Sequence, residues 1–484
     1  MATYLAIDLG TTGCRSILFD QSLRQLAVAY QEYGLITPKE KWTEQDAELW
    51  WELTKKTAKE AIAAAGISGK DIRGISISSQ GITIVPVDEE LNPLCNALSW
   101  LDTRAEEQTA QLEADYGTDA MYLHTGKRID PCYTLPKMLW LQQERKEIFE
   151  SAWKFLMPMD YLIGKLTGIC ATDHSMASGT LFYDIKNLCW SREVLERYGI
   201  PEEKLPELRW SGEAVGNVLP EVADELGLDP SCVVAVGAQD QKCAALGVGL
   251  DNETMTVSLG TAAAIEKRWN EAKTEVNNGV GWCGYVVPGT WVTEGVINTA
   301  GTCLRWARDM LFPGESYDVI NAEALEARNR GSSVMFFPYL SGPSCPDFYP
   351  ESQGCFYGVN LASKRGDFAL AVMEGIAFQI RILLEAMEAY GTVKELSLFG
   401  GGANSELWCQ IIADATGMQI MIPETTEAAA AGAARLAAMA AGDPLPALEF
   451  SRIYKPSELS SDYAAKYQKF REVEKRLWAL EGSK

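Results

Sequence analysis

Histidine is almost missing from this chain: its 484 residues include two, His124 and His174. That scarcity takes the commonest general base and a common zinc ligand out of most of the sequence. No two of the twelve cysteines stand in C-x-x-C spacing, which excludes a zinc or dithiol centre of the usual pattern. Cys170, Cys232 and Cys409 have mostly apolar neighbours and read as buried thiols of a reducing compartment, the cytoplasm. No uncharged apolar run is long enough to span a bilayer, and Met1-Ala2-Thr3 leads straight into Tyr4-Leu5-Ala6-Ile7 without a basic leader. Positive charge is also in deficit: 43 Lys and Arg face 66 Asp and Glu, a formal charge of −23. Nucleic acid and anionic membrane are therefore poor partners. A phosphate ligand would have to be held by local devices: backbone amides, a few cations and a divalent metal.

What is present is an ordinary globular balance, 47% hydrophobic and 23% charged, in a chain long enough for two cores. Apolar runs at 4–8, 16–20 and 26–30 are separated by Gly10-Thr11-Thr12-Gly13 and Gln21-Ser22, the pattern of a hairpin meander. Helical spacing begins near Asp46 with Leu49, Leu53, Thr57 and Ala61. Strand character returns over 73–100 through Ile75, Ile77, Ile82 and Ile84, and helical text dominates 104–115, 136–152 and 158–167. A strand over 233–236, a second strand-rich block from 255, a long helix over 367–390, a strand over 395–399 and paired helices to about 441 complete the pattern. Gly247, Gly249 and Asp251-Asn252 interrupt it, which predicts domains at 1–250 and 251–484. Residues 5–12 (Leu-Ala-Ile-Asp-Leu-Gly-Thr-Thr) and 255–262 (Met-Thr-Val-Ser-Leu-Gly-Thr-Ala) each deliver Leu-Gly-Thr from an apolar strand into a turn. The two halves read as related.

Four segments carry chemistry. A Gly-Thr turn can offer several N–H groups to one anion; Asp8 at its mouth suits a hydrated Mg²⁺, and Arg15 would balance the charge. A plain hairpin turn is the competing reading. Asp240, in Gly237-Ala238-Gln239-Asp240-Gln241, leaves a strand and enters a helix, where it could serve as a general base or as a helix cap. Phe399-Gly400-Gly401-Gly402-Ala403-Asn404-Ser405 could lay a flat base against backbone or be a flexible connection. The Asp102–Arg104 pair beside Trp100 could line a polyol site or be a surface ion pair.

Together these segments resemble the FGGY carbohydrate kinases, the xylulose, gluconate, ribulose and glycerol kinases. The resemblance runs over nearly the whole chain, through Asp8-x-Gly10-Thr11-Thr12-x-x-Arg15, Trp42-Thr-Glu-Gln-Asp46 with Trp50-Trp51, and Trp100-x-Asp102-x-Arg104. The first family signature is matched by Thr134-x-x-Lys137-Met138-x-Trp140-Leu141-x-Gln-Glu144, with Cys132 as a departure. The second is matched by Gly354-x-Phe356-x-Gly358-Val359, seven residues, then Asp367-Phe368-x-x-Ala371-Val372-Met373-Glu374. The resemblance implies an α/β fold of two actin-like (ribonuclease H-like) domains with a central cleft, using ATP and Mg²⁺ on a small sugar. It implies Asp240 as base and Asp8 as the carboxylate that holds Mg²⁺ through water. Thr11, Thr12, Arg15, Gly260, Thr261, Gly301, Arg305, Gly401, Gly402 and Asn404 would hold the nucleotide. Gln80, Gly81, Ile82, Trp100, Asp102 and Gln241, with Asp240, would meet the sugar. Family members are often homodimers. Gly81-Ile82 stands where xylulose kinases usually show Met-His and glycerol kinases Arg-Glu, so glycerol is disfavoured. The expected substrate is a ketose such as a pentulose; a sugar acid or polyol, or an ATP-binding sensor on the same fold, are the alternatives.

Overall fold

A computed structural model describes residues 2–275, 279–349 and 351–480. The first sheet is built from β1 (Thr3–Leu9), β2 (Gly13–Asp20), β3 (Gln25–Glu32), β4 (Ile72–Ser79), β5 (Ala214–Asn217), β6 (Val233–Ala235) and β7 (Ala238–Gln239). Its order is β5-β6-β4-β1-β2-β3, with β7 beside β4. The second sheet contains β8 (Thr254–Leu259), β9 (Ala263–Trp269), β10 (Gly281–Gly284), β11 (Trp291–Ile297), β12 (Glu395–Phe399), β13 (Gln419–Pro423) and β14 (Phe450–Tyr454). Its order is β10-β11-β9-β8-β12-β13-β14.

The sequence repeat has a structural counterpart. β1 pairs antiparallel with β2 and parallel with β4. β8 likewise pairs antiparallel with β9 and parallel with β12. Each Leu-Gly-Thr therefore ends the central strand of its sheet. Leu5, Ile7, Ile75 and Val234 pack in the first core, and Val257, Leu396, Ile376 and Ile412 in the second.

Helix α1 (Ala47–Ala65) starts where the spacing predicts, with Asp46 Oδ1 accepting from the N–H groups of Glu48 and Leu49. Its buried face is Trp50, Thr54, Thr57 and Ala61, while Leu49 is 38% exposed. The helix is thus rotated from the expected stripe, because the large Trp50 takes the core position. The strand reading at Ile82 also fails. β4 ends at Ser79, Thr83 N–H donates to Gly81 O at 2.7 Å, and Ile82 sits at φ 53°. A β-branched residue in that region is strained, typically by about 1–3 kcal/mol.

Two helices join the halves. α2 (Asp240–Gly247) closes the first half, and the Ala-rich α3 (Ala428–Ala440) comes from the second. Yet α3 packs against α2, β4 and β1 of the first. A Cβ on Gly432 would stand 1.8 Å from Cys243 O, and one on Gly247 2.1 Å from Ala428 O, so the two backbones touch directly. Gly432→Val should therefore force the helices apart at a cost of about 1–3 kcal/mol or more, lowering the melting temperature in a thermal unfolding scan.

Candidate active site

Register in the first sheet brings the polar strand ends together. Asp8 lies opposite Arg15 on β2 and beside Ser78 on β4. Ser78 Oγ donates to Asp8 Oδ1 at 3.1 Å, and Arg15 Nη1 stands 3.9 Å from Asp8 Oδ2. Burial raises the Asp8 carboxyl above its usual range, against the opposing pull of Arg15 and Ser78. β7 pairs parallel with the end of β4, Gln239 opposite Ser79. Asp240 therefore leaves the same edge of the sheet as Asp8, with β4 between them.

Helix capping at this point falls to the neighbour, because Gln239 Oε1 accepts from Gln241 N–H at 3.1 Å. Asp240 is the first helical residue, and its Oδ1 accepts from Gln241 N–H at 2.7 Å and from Gln239 Nε2. Burial, and then the negative charge of Asp8, push its carboxyl up to about 7. An acid so tuned can exchange a proton near neutral pH.

Asp240 lines a cleft of about 320 Å³ together with Thr11, Gln80, Gly81, Ile82 and Trp100, and Gln241 adjoins it there. Trp100 Nε1 donates to Thr11 Oγ1 at 2.9 Å, which sets the indole as one wall. Gln80 Nε2 donates to Gln45 Oε1 at 2.9 Å, and Gln45 Nε2 to Thr11 O at 2.6 Å. The strained turn is held from below: Lys137 Nζ and Thr134 Oγ1 reach Ile82 O at 3.4 and 3.5 Å. That is a physical role for the Thr-x-x-Lys of the first signature.

Asp102 is placed elsewhere. It is fully buried, its carboxylate taken by Thr43 N–H at 2.6 Å and by Arg104 Nε and Nη2. Arg104 also binds Glu44 at 2.7 Å and lies over the Trp42 ring at 3.7 Å from its centroid. The Asp–Arg pair is a buried brace behind the Trp100 wall, neither a surface pair nor part of the cleft lining.

On the second sheet, the helix α4 (Gly301–Leu311) starts against the other Gly-Thr turn. Gly301 N–H donates to Gly260 O at 2.9 Å, and Thr302 N–H to Thr261 O at 3.1 Å. A Cβ on Gly301 would stand 2.5 Å from Gly260 O. Arg305 Nη2 donates to Thr261 Oγ1 at 3.3 Å. The glycine run abuts the same strand end: Gly400 has φ +89°, and a Cβ on Gly402 would meet the Leu259 side chain at 2.4 Å. Gly401 has open space around it and Asn404 is exposed. Ser405 caps the next helix, its Oγ accepting from Trp408 N–H at 3.2 Å. So Gly260, Thr261, Gly301 and Arg305 form one group, and Gly400–Gly402 flank it across Leu259. Thr12 is exposed on the first turn, and Arg15 ties that turn to the second half through Glu427, 3.6 Å away. A larger cavity, about 510 Å³, lies beside Gly247, Arg24 and Phe450 and contains neither carboxylate.

Sequence models of the FGGY family of carbohydrate kinases match the chain twice, the N-terminal domain over residues 3–247 and the C-terminal domain over 255–441. The chain belongs to this family. It is 32% identical over 445 residues to the xylulose kinase of Bacillus subtilis strain 168, covering 91% of this chain and 89% of the relative. It is 30% identical over 458 residues to the gluconokinase of the same strain, covering 91% and 88%. The crystal structure of a xyloylose kinase from Brucella ovis superposes with a TM-score of 0.91 at 32% identity, over 99% of this chain and 100% of that one. The protein is thus an ATP-dependent carbohydrate kinase of the FGGY family, with two actin-like halves.

Sequence reasoning on this FGGY kinase missed several residues that line the cleft: Lys127, Cys132, Cys283 and Glu294 among them. Cys132 registers only as a departure from the first signature, the other three stand in no motif, and each arrives from a segment remote from Asp240. His174, one of the two histidines, is structural: it stacks on Trp210 at 3.8 Å and bonds Tyr183 OH at 2.7 Å. Among the described residues no helix is long and apolar enough to cross a membrane, and Cys170, Cys232 and Cys409 are buried thiols.

Proposed function

We propose that this FGGY kinase phosphorylates a ketose of the pentulose type, as a xylulokinase does, with Asp240 as general base. The observation that carries the reading is the common cleft, in which Asp240, Thr11, Trp100 and the turn at Gly81-Ile82 face one space. Xylulose kinases at 32–33% identity support the substrate class.

A sugar hydroxyl oxygen forms a bond to the γ-phosphorus of ATP as the bond from that phosphorus to the β–γ bridging oxygen breaks. The hydroxyl proton passes to the Asp240 carboxylate, and ADP leaves with the electron pair. The two Gly-Thr turns offer amides to the phosphate chain, and Arg305 holds Thr261 in place for it. Asp8 fits a hydrated Mg²⁺, being a partly exposed carboxylate at the mouth of an amide-rich turn. When bound, that ion supplies neutralising charge to the phosphate oxygens. Gly401 leaves backbone open to a flat base, with Asn404 beside it. Gln80 and Trp100 orient the sugar, and closure of the two halves keeps water from competing as acceptor.

The test is a screen of pentuloses, hexuloses, alditols and aldonic acids with ADP release as the readout. A pentulose should give the highest kcat/KM. ATP binding without product on every acceptor would favour an actin-fold sensor instead. Asp8→Asn should raise the Mg²⁺ concentration for half-maximal rate by about tenfold or more, measured in a metal titration at saturating ATP.

A further inference from the structure

Four charged side chains meet beside the cleft, two from each half: Lys127, Lys242 and Glu294 line it, and Glu266 lies behind Lys242. Lys242 Nζ lies 2.9 Å from Glu266 Oε1 and 2.8 Å from Glu294 Oε1. Lys127 Nζ lies 3.6 Å from Glu294 Oε2. The Lys242–Glu266 pair is enclosed, each side chain 2% exposed, and serves the junction between the halves. The Lys127–Glu294 pair differs, because both residues line the cleft beside Asp240 and Gln241.

Lys127 is held in place from both sides. Trp282 N–H donates to Gly126 O at 2.9 Å, and Tyr122 OH to Val280 O at 2.8 Å, so the preceding backbone is fixed to the edge strand β10. Gly281, opposite Glu294 in the β10–β11 register, leaves the room, since a Cβ there would stand 2.9 Å from Lys127 Nζ. Yet this ammonium, on a side chain 9% exposed, has three donors and one long contact, with no shorter bond among the described residues. A buried cation with open donors calls for acceptors from a ligand. Glu294, three residues from the end of its strand, offers lone pairs to the same space.

Resting on the kinase reading above, we infer that Lys127 and Glu294 together grip the hydroxyls of the sugar that are not phosphorylated, Lys127 donating and Glu294 accepting, and so select neutral polyhydroxy acceptors over sugar acids. The charge balance supplies the selectivity. Lys127 and Lys242 already offset Glu294 and Glu266, and Asp240 and Asp8 add negative charge near by. A substrate carboxylate would enter against Glu294, whereas a neutral polyol leaves the balance intact and satisfies both partners. Because Glu294 belongs to the second half, the sugar site is complete only with both halves in contact.

The experiment compares the full-length wild type with Lys127→Met, Lys127→Arg and Glu294→Gln, using xylulose, xylitol and gluconate as acceptors. Lys127→Met should raise KM for the sugar by about tenfold or more, the loss expected for a charged hydrogen bond, with KM for ATP changed by no more than about twofold. Lys127→Arg should recover part of that loss, which a purely steric or folding defect would not permit. Glu294→Gln should weaken xylulose and raise the gluconate-to-xylulose ratio of kcat/KM, since it removes the repelling charge. Parallel rises in both KM values, unchanged sugar KM, or a wild type that prefers gluconate would overturn the inference alone. A wild type that phosphorylates no acceptor at all would instead remove the kinase reading beneath it.

Discussion

Replacing Asp240 by Asn should lower kcat by about 10²–10⁴-fold, the range that loss of a general base costs, and leave ATP binding nearly intact. The amide keeps the size of the side chain and cannot take a proton. Single-turnover kinetics would measure the chemical step, and calorimetric titration the nucleotide affinity. Turnover close to wild type would end the role assigned to Asp240. The pH dependence gives the same group a second test. Burial and Asp8 hold its carboxyl at about 7, so the base is protonated, and idle, in acid. The rate should rise as pH passes upward through about 7 and then level off. Asp8→Asn removes a neighbouring negative charge, so the residual activity of that variant should show the rise at lower pH.

Stability runs the opposite way at this site. The folded chain keeps the Asp240 proton between its ordinary value of 3.8 and about 7, where an unfolded chain releases it. The folded state therefore loses stability from this group as pH rises through that window. Asp240→Asn should consequently melt no lower than wild type at pH 8, and a lower melting temperature would show that the raised carboxyl is wrongly assigned.

The largest effect on folding is expected from Lys242→Met. Lys242 is buried among Glu266 and Glu294, at 2.9 and 2.8 Å, and removing it leaves the enclosed Glu266 without its cation and Glu294 with only the more distant Lys127. Breaking a buried pair from one side typically costs about 3–5 kcal/mol. The melting temperature should fall sharply, and Glu266→Gln in the same chain should restore a large part of it, because it removes the stranded charge. A variant that melts like wild type would mean that water reaches this junction and the ions are not truly enclosed.

Much of the frame was legible from residue order. Alternation over the first thirty residues predicts the meander that forms, and Leu-Gly-Thr at both strand ends predicts a repeat that the two sheet registers share. Asp46 and Ser405 announce their helices by capping chemistry, which is local. The misreadings have long-range causes. Ile82 looks like a strand residue by propensity, but Thr134 and Lys137 hold its carbonyl in a tight turn from 52 and 55 residues away. Asp102 and Arg104 look exposed by composition, yet Trp42 and Glu44 enclose Arg104.

Sequence alone determined the strand ends, the Gly-Thr turns, the carboxylate at each exit and the family signatures, because these depend on neighbours within a few positions. Tertiary structure alone decided which of the polar residues share a space. It placed Asp240 on the same sheet edge as Asp8, buried Asp102 behind a wall, and set Lys127 against Glu294 across the two halves. Such encounters depend on strand register and on helix backbones in contact at Gly247 and Gly432, and no local preference encodes a distance between residues more than a hundred positions apart.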